Sequence, residues 1–134
     1  MATRSNIGMT NDDGTITGIY VHHDGYPEHH IPILTGHYET ADKVRALLAL
    51  GDLSVLGESI GEAHDFDECP DGQCNAYGRD RGEKGTAAKV FSGEREFNLF
   101  AAEPCSYMFK GEAWFARDRK GTWVPAQSMI EDND

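Results

Sequence analysis

The last third of the chain carries the pattern that most restricts its fold. Polar and apolar residues alternate along three short stretches, at 106–109, 112–116 and 122–125. Alternation with a period of two is typical of strands that bury one face, and turns containing Gly111 and Gly121 suit antiparallel neighbours. The pattern predicts a three-stranded antiparallel meander in which Tyr107 and Phe109 share a face.

The start of the chain predicts a β-hairpin. Two stretches with strand character, 5–9 and 15–21, flank the turn sequence Asn11-Asp12-Asp13-Gly14. Asp-Gly favours tight hairpin turns because Gly adopts a positive φ without a steric penalty. We expect the hairpin and the meander to form one antiparallel sheet.

The middle of the chain contains the helix signals. Thr40 is a candidate N-cap, Val44, Leu47 and Leu48 fall on one helical face, and Gly51 is a candidate stop. Weaker patterns predict a turn or short helix at 31–34, a strand at 75–78, a charged turn at 79–85, a strand at 87–91, and a helix after Ser92 with Phe97 and Phe100 facing inward.

Together these elements predict an α+β fold in which two or three helices pack on one side of the sheet. A chain of 134 residues with 39% hydrophobic residues supplies one hydrophobic core, so we expect a single domain spanning 1–134. Two segments are expected outside that core. They are an acidic surface loop at about 57–73 and a mobile tail at about 127–134.

The charge of the chain restricts its partners. The sequence has 23 acidic and 12 basic residues and a net charge of -11, which repels nucleic-acid phosphates and anionic membrane surfaces. The charge suits a basic protein partner, such as one with a nucleic-acid channel, and it also serves solubility. The candidate partner-binding residues are the carboxylates of the acidic loop: Glu58, Glu62, Asp65, Asp67, Glu68 and Asp71.

The sequence contains no apolar run of the length needed for a secretory signal or a membrane span. Its three cysteines are odd in number and do not form a dense disulfide framework. We therefore expect a cytoplasmic protein with reduced thiols.

Histidines concentrate in the segment HHDGYPEHH at 22–30. Imidazoles bind divalent ions such as zinc, so His22, His29 and His30 are candidate metal ligands. The segment lacks the helical pair of histidines with an adjacent catalytic Glu that marks zinc proteases. The favoured interpretation is a structural turn whose histidines cap, stack or face solvent, and no cofactor is predicted.

A small-ligand site is a further hypothesis. Arginine binds carboxylate or phosphate through paired hydrogen bonds, and the segment YGRDRGE places Arg79 and Arg81 close together. The arginines are equally able to pair with Asp80, Glu83 or the acidic loop, and the excess of carboxylates favours that alternative. The candidate ligand-binding residues are His22, His23, Asp24, Tyr26, Arg79 and Arg81.

No catalytic motif is present in the sequence. The nucleophile elbow of hydrolases is missing, and Lys84-Gly85-Thr86 lacks the preceding glycine spacing of a phosphate-binding loop. No catalytic residue is assigned.

Four segments between Ala2 and Glu83 carry a resemblance: ATRSNIG, HHDGYPEHH, KVRALLALGDLSVLG and YGRDRGE. Together they resemble a family of small uncharacterised proteins of tailed phages and prophages. The resemblance implies a phage protein acting in the host cytoplasm, and it carries no enzymatic activity over. The leading hypothesis is an anti-CRISPR or other anti-defence inhibitor that binds a host nucleic-acid-processing complex and possesses the charge to imitate nucleic acid.

Two alternatives remain open. The first is a small-ligand, nucleotide or metal-binding module that uses the histidine-rich turn with Arg79 and Arg81. The second is a metal-dependent enzyme whose histidines and carboxylates converge only in the folded chain.

Overall fold

A computed structural model of the chain describes residues 3–100, 105–118 and 120–131. Its first two strands, β1 (Ser5–Thr10) and β2 (Ile16–Val21), pair antiparallel across the predicted turn. The Asn11 side chain holds the turn because its amide donates to the hydroxyls of Thr15 and Thr17, at 3.0 Å each. The predicted N-terminal hairpin is confirmed.

The C-terminal meander is also confirmed. Its strands pair antiparallel in chain order, and they are β6 (Cys105–Lys110), β7 (Ala113–Arg117) and β8 (Trp123–Pro125). Phe109 and Trp114 pack on the same face with their ring centroids 5.3 Å apart. The predicted turn between β7 and β8 includes Arg119, which lies outside the described residues.

The helices are α1 (Pro27–His37), α2 (Ala41–Leu48), α3 (Tyr77–Arg81), α4 (Glu94–Phe100) and α5 (Ser128–Glu131), with a 3₁₀ turn at Phe66–Glu68. The predicted cap of α2 is present, since Thr40 Oγ1 accepts from Lys43 N at 3.3 Å. Gly51 follows the helix with a φ of +78°, as expected for a stop. None of the helices in the described ranges is long and apolar enough to cross a membrane.

Several local predictions differ from the structure. The turn predicted at 31–34 belongs to the longer helix α1, which contains Pro32 at the cost of one backbone hydrogen bond. The strand predicted at 75–78 is only β4 (Asn75–Ala76), and the charged turn predicted at 79–85 begins as helix α3. The tail predicted to be mobile starts with α5, and residues 132–134 lie outside the described part of the chain.

One mixed sheet joins these strands, so the α+β class is confirmed while the expectation of a wholly antiparallel sheet is not. Strand β1 pairs parallel with β6, and β2 pairs parallel with β3 (Leu53–Val55). Parallel neighbours need a long crossover, and α1 and α2 supply it between β2 and β3. The strand order is β4-β3-β2-β1-β6-β7-β8, with β5 (Lys89–Phe91) also paired to β2.

The sheet is covered by helices on both faces, in contrast to the predicted one-sided packing. The main core lies on one face, where α1 contributes Ile31 and Leu34 and α2 contributes the predicted Val44, Leu47 and Leu48. On the other face, Phe97 of α4 is fully buried with Ile16 and Met108. The second layer forms because the sheet offers space for an aromatic ring at that point.

That space comes from two glycines that face each other across the hairpin. Gly8 and Gly18 are register partners, and a Cβ on either would lie 2.8 or 2.7 Å from the Phe97 ring. Contacts under 3 Å are repulsive, so only glycine allows the ring to approach the backbone of both strands. The pair Gly8 and Gly18 therefore fixes where α4 sits on the sheet.

We predict that Gly18→Ala lowers the free energy of unfolding by about 1–3 kcal/mol, because the added methyl overpacks against Phe97. Gly36→Ala is the matched control, since Gly36 lies in α1 where an added methyl would meet no neighbouring side chain within 4 Å. Gly36→Ala is expected to raise the free energy of unfolding by about 0.5–1 kcal/mol. Urea denaturation monitored by circular dichroism measures both.

Combining Gly18→Ala with Phe97→Leu is expected to cost less than the two single changes added together, because the smaller side chain makes room for the methyl. Wild-type stability of Gly18→Ala would show that Phe97 does not pack closely against β2.

Candidate functional site

The histidine-rich turn begins as an extension of β2. The backbone amides of His22 and His23 donate to the carbonyls of Leu53 and Ser54, at 3.0 Å each, so the chain follows β3 past the end of β2. Asp24 then adopts a φ of 57°, which turns the chain toward α1. The turn is a regular continuation of the sheet into the first helix.

His30 is a core residue. It is fully buried, and its Nε2 lies 3.0 Å from Ser5 Oγ while its Nδ1 lies 3.2 Å from Nδ1 of His29. Burial, together with the neighbouring His29, lowers the pKa of His30 to about 3. His30 therefore holds α1 against β1 as a neutral ring, and both its nitrogens already have partners.

His22 lies on the other side of the turn. Its Nδ1 is 2.7 Å from the hydroxyl of Tyr20, and its ring packs edge-on against His23 with centroids 4.5 Å apart. Burial lowers the pKa of His22, and the nearby His23 and Arg4 lower it further. These contacts agree with a structural turn whose histidines stack on their neighbours.

Of the candidate metal ligands His22, His29 and His30, the structure brings His29 and His30 into contact but does not assemble all three into one cluster. Within residues 3–100, 105–118 and 120–131, no three His, Cys, Asp or Glu side chains lie close enough to hold a metal ion. The imidazoles of the turn form hydrogen bonds and ring contacts with their neighbours.

A network of hydrogen bonds and an ion pair lies at α3. Asp80 has a fully buried side chain, and its carboxylate accepts hydrogen bonds from Arg79 Nε at 2.9 Å and from the Ala76 amide at 2.8 Å. Burial acts to raise the pKa of Asp80, but the hydrogen bonds from Arg79, Ala76 and His64 outweigh it and the pKa is lowered. Asp80 is thus a buried, ionised anchor.

Arg79 connects this anchor to the acidic loop, which we define as residues 57–73. Besides Asp80, its guanidinium donates to the carbonyls of Ile60 at 2.9 Å and Cys74 at 3.0 Å. One side chain thereby fixes the start of the loop and the strand that follows it. The prediction that Arg79 pairs internally is confirmed.

His64 fixes the centre of the acidic loop. Its Nδ1 lies 2.8 Å from the Glu62 carbonyl, and its Nε2 lies 3.0 Å from Asn75 Oδ1. The Asn75 amide nitrogen donates to the Phe66 carbonyl at 3.1 Å, which orients Oδ1 toward His64. The backbone amide of His64 also donates to Asp80 Oδ1 at 3.2 Å, so His64 links the loop to both Asn75 and Asp80.

An aromatic stack supports the 3₁₀ turn of the loop. The rings of Phe66 and Tyr77 are stacked with centroids 5.4 Å apart, and the Arg81 guanidinium lies 4.9 Å from the Phe66 centroid. Arg81 also forms an ion pair with Glu83, so its predicted internal pairing is confirmed as well. Such cation–π contacts at the surface contribute about 0.5–1 kcal/mol.

The six predicted partner-binding carboxylates all lie exposed on this loop: Glu58, Glu62, Asp65, Asp67, Glu68 and Asp71. Glu58 pairs with His37 at 3.0 Å, and Asp65 caps the 3₁₀ turn by accepting from the Asp67 amide at 3.0 Å. The other four carboxylates form no ion pair within the described part of the chain. The loop therefore presents unpaired negative charge to solvent.

The residues proposed for a small-ligand site fall into two separate groups. His22, His23, Asp24 and Tyr26 lie in the turn before α1, whereas Arg79 and Arg81 lie on α3. No hydrogen bond, ion pair or ring contact joins the groups among the described residues. The sequence indicated Asp80 as a partner of the arginines. It did not indicate that His64 and Asn75 join the same network, because His64 contacts Asp80 and Asn75 across 16 and 11 positions of sequence.

No protein-family model, curated protein or solved structure matches this chain in the comparisons made with known proteins.

We predict a pH dependence of stability that originates at His30. Its pKa is about 3 in the folded chain and about 6.5 in the unfolded chain, so the unfolded state binds more protons between these values. The contribution of neutral His30 is complete above pH 6.5 and is lost as the pH falls toward 3, by up to about 1.4 kcal/mol per pH unit. Denaturation midpoints at a series of pH values measure it.

His30→Gln is expected to remove this slope, while His23→Gln, at an exposed position, is expected to keep it. Equal slopes for the two variants would assign the pH dependence to other groups.

We also predict that Arg79→Lys loosens the acidic loop, because an ammonium cannot hold Asp80 and two backbone carbonyls in the same planar geometry. Amide hydrogen exchange at 60–66 is expected to accelerate about tenfold or more. Arg81→Lys, which changes an exposed ion pair, is the matched control and is expected to alter exchange less than about threefold. Equal acceleration in both variants would contradict the role of Arg79.

Proposed function

We propose that this chain inhibits or modulates a host defence complex by binding a basic, nucleic-acid-processing protein through the acidic loop. The observation that carries the proposal is the loop itself, whose exposed carboxylates stand on a backbone that Arg79 and Asp80 hold at Ile60 and His64. The resemblance to tailed-phage proteins supplies the biological setting of the proposal.

Preorganisation of the loop supports a binding role. A partner that immobilises a flexible side chain loses about 0.5–1.5 kcal/mol for each one, and a flexible loop adds further ordering costs. Here the backbone of the loop is already fixed by Arg79, His64 and Asp80 before any partner arrives. Binding would therefore spend little free energy on ordering the loop backbone.

The distribution of charge supports a basic partner. Arg79 and Arg81, the cations nearest the loop in sequence, are engaged by Asp80 and Glu83. The carboxylates of Glu62, Asp67, Glu68 and Asp71 are left to dominate the local field. With a net charge of -11, this field steers a basic protein toward the loop and repels nucleic acid.

The same arrangement makes a small-ligand role for the arginines less favourable. An anionic ligand would have to displace Asp80 from Arg79, and the buried carboxylate would then lose its two hydrogen bonds from the guanidinium. A protein partner that meets only the outer carboxylates requires no such rearrangement.

The first test is a pull-down of tagged protein from bacteria with active defence systems, at low and high salt, with identification by mass spectrometry. The proposal predicts a stoichiometric basic partner that is released as the salt concentration rises. Binding to the purified partner is then measured by calorimetry.

We predict that neutralising the free carboxylates, by Glu62→Gln, Asp67→Asn, Glu68→Gln and Asp71→Asn together, weakens binding about tenfold or more. Asp65 is left unchanged because its carboxylate caps the 3₁₀ turn. The control neutralises an equal number of exposed carboxylates elsewhere, by Asp12→Asn, Asp24→Asn, Glu28→Gln and Glu112→Gln. Both variants have the same net charge, so only the position of the charge differs.

Loss of affinity in the loop variant alone would identify the acidic loop as the binding surface. Equal affinities of the two variants would remove the loop from the interaction, and the absence of any partner at both salt concentrations would refute the proposed function.

A further inference from the structure

A groove lies on the face of the sheet that carries α4, over strands β6, β7 and β8, which are three to five positions from β3 in the sheet order. It has a volume of about 420 Å³, within the range of small-molecule sites. Its lining residues are Glu94, Met108, Lys110, Gly111, Ala113, Phe115 and Trp123. The groove is independent of the acidic loop and of the function proposed for it.

The groove exists because α4 is drawn toward the hairpin. Phe97 packs on Gly8 and Gly18 of β1 and β2, and α4 reaches β8 at Trp123. Among the described residues, the space between these contacts is open over Met108, Ala113 and Phe115. Ala113 adds little bulk on this face of β7, and Gly111 adds no side chain at all. A recess therefore remains open beside α4.

The floor of the recess is apolar and aromatic. Met108 is buried, and Phe115 and Trp123 are half-buried. The Trp123 ring is held by a hydrogen bond from its Nε1 to Asn98 Oδ1 at 3.2 Å, and it stacks beside Phe97. A fixed indole beside a phenyl ring suits the flat or branched body of an apolar ligand.

The rim carries one positive and one negative charge. Lys110 Nζ lies 3.8 Å from Glu94 Oε2, beyond hydrogen-bonding distance, and both side chains are about half exposed. Such a surface ion pair contributes little to stability and is readily exchanged for other partners. Each charged group is therefore available to a ligand.

We propose that this groove binds an apolar zwitterion of the class of free aromatic or branched-chain amino acids. The apolar body lies on Met108, Phe115 and Trp123, the ammonium group meets Glu94, and the carboxylate meets Lys110. Glu94 and the overall negative charge of the chain would repel a purely anionic ligand, and Lys110 would repel a purely cationic one. A ligand with both charges satisfies both ends of the rim.

Three probes with the same benzyl body test this assignment. They are L-phenylalanine, L-phenylalaninamide and N-acetyl-L-phenylalanine. At mildly acidic pH, where the amino group of the amide is protonated, the first carries both charges, the second only a positive charge and the third only a negative charge. Each is titrated into the ¹⁵N-labelled protein, and the indole N–H signals are followed by NMR. Trp123 reports on the groove, and Trp114 is an internal reference because its indole donates to the Tyr38 carbonyl on the opposite face.

The proposal predicts a saturable shift of the Trp123 signal, no shift of the Trp114 signal, and a dissociation constant for phenylalanine at least about fivefold lower than for either derivative. Leucine and tryptophan are titrated in the same way, leucine as a branched-chain amino acid and tryptophan as a second aromatic one.

Single substitutions at the rim separate the two charges. Glu94→Gln is expected to remove the advantage of phenylalanine over its N-acetyl derivative, and Lys110→Met is expected to remove its advantage over the amide. Lys84→Met is the matched control, since Lys84 is exposed and lies outside the groove, and it is expected to change neither preference.

The proposal is overturned if phenylalanine, leucine and tryptophan all leave the Trp123 signal unshifted at millimolar concentrations. It is also overturned if a singly charged derivative binds as tightly as phenylalanine, or if both indole signals move together.

Discussion

The layout of the sheet, and of the helices on its two faces, depends on the parallel pairing of β1 with β6. This ladder runs from Ser5 opposite Cys105 to Met9 opposite Phe109, and it joins the N-terminal hairpin to the C-terminal meander. Because both units bury one apolar face, their junction creates a single wide surface on which α1 and α2 pack. The pairing also determines the opposite face, where Gly8 of β1 and Met108 of β6 lie in register under α4.

The acidic loop depends on a different kind of interaction. A buried ion pair such as Arg79–Asp80 is costly to desolvate, and its net contribution to stability is often small. Its effect here is structural specificity, because the hydrogen bonds of Arg79 and Asp80 reach the loop backbone at Ile60 and His64. An excess of carboxylates would otherwise favour an extended loop through mutual repulsion. The pair Arg79–Asp80 thus confines negative charge to one surface of defined shape.

The sequence allowed the locally determined elements to be predicted. The hairpin, the meander and the Thr40-capped helix follow from side-chain period and turn chemistry, which act over a few residues. The parallel pairings and the second helical layer were not predicted, because they depend on contacts between distant segments such as Phe97 on Gly18. For the candidate site, the excess of carboxylates favoured internal pairing of Arg79, whereas the contribution of His64 depends on contacts with Asn75 and Asp80, which are distant in sequence.

The distance in sequence between β1 and β6 has a consequence for synthesis. Ser5 pairs with Cys105, so about 100 further residues must be synthesised before β6 can pair with the free edge of β1. At about 5–20 residues per second, translation leaves that edge unpaired for roughly 5–20 s. An unpaired strand edge with Ile7 and Met9 beside it is a site of intermolecular pairing. The nascent chain is therefore most prone to aggregate during this interval, and completion of β6 ends its exposure.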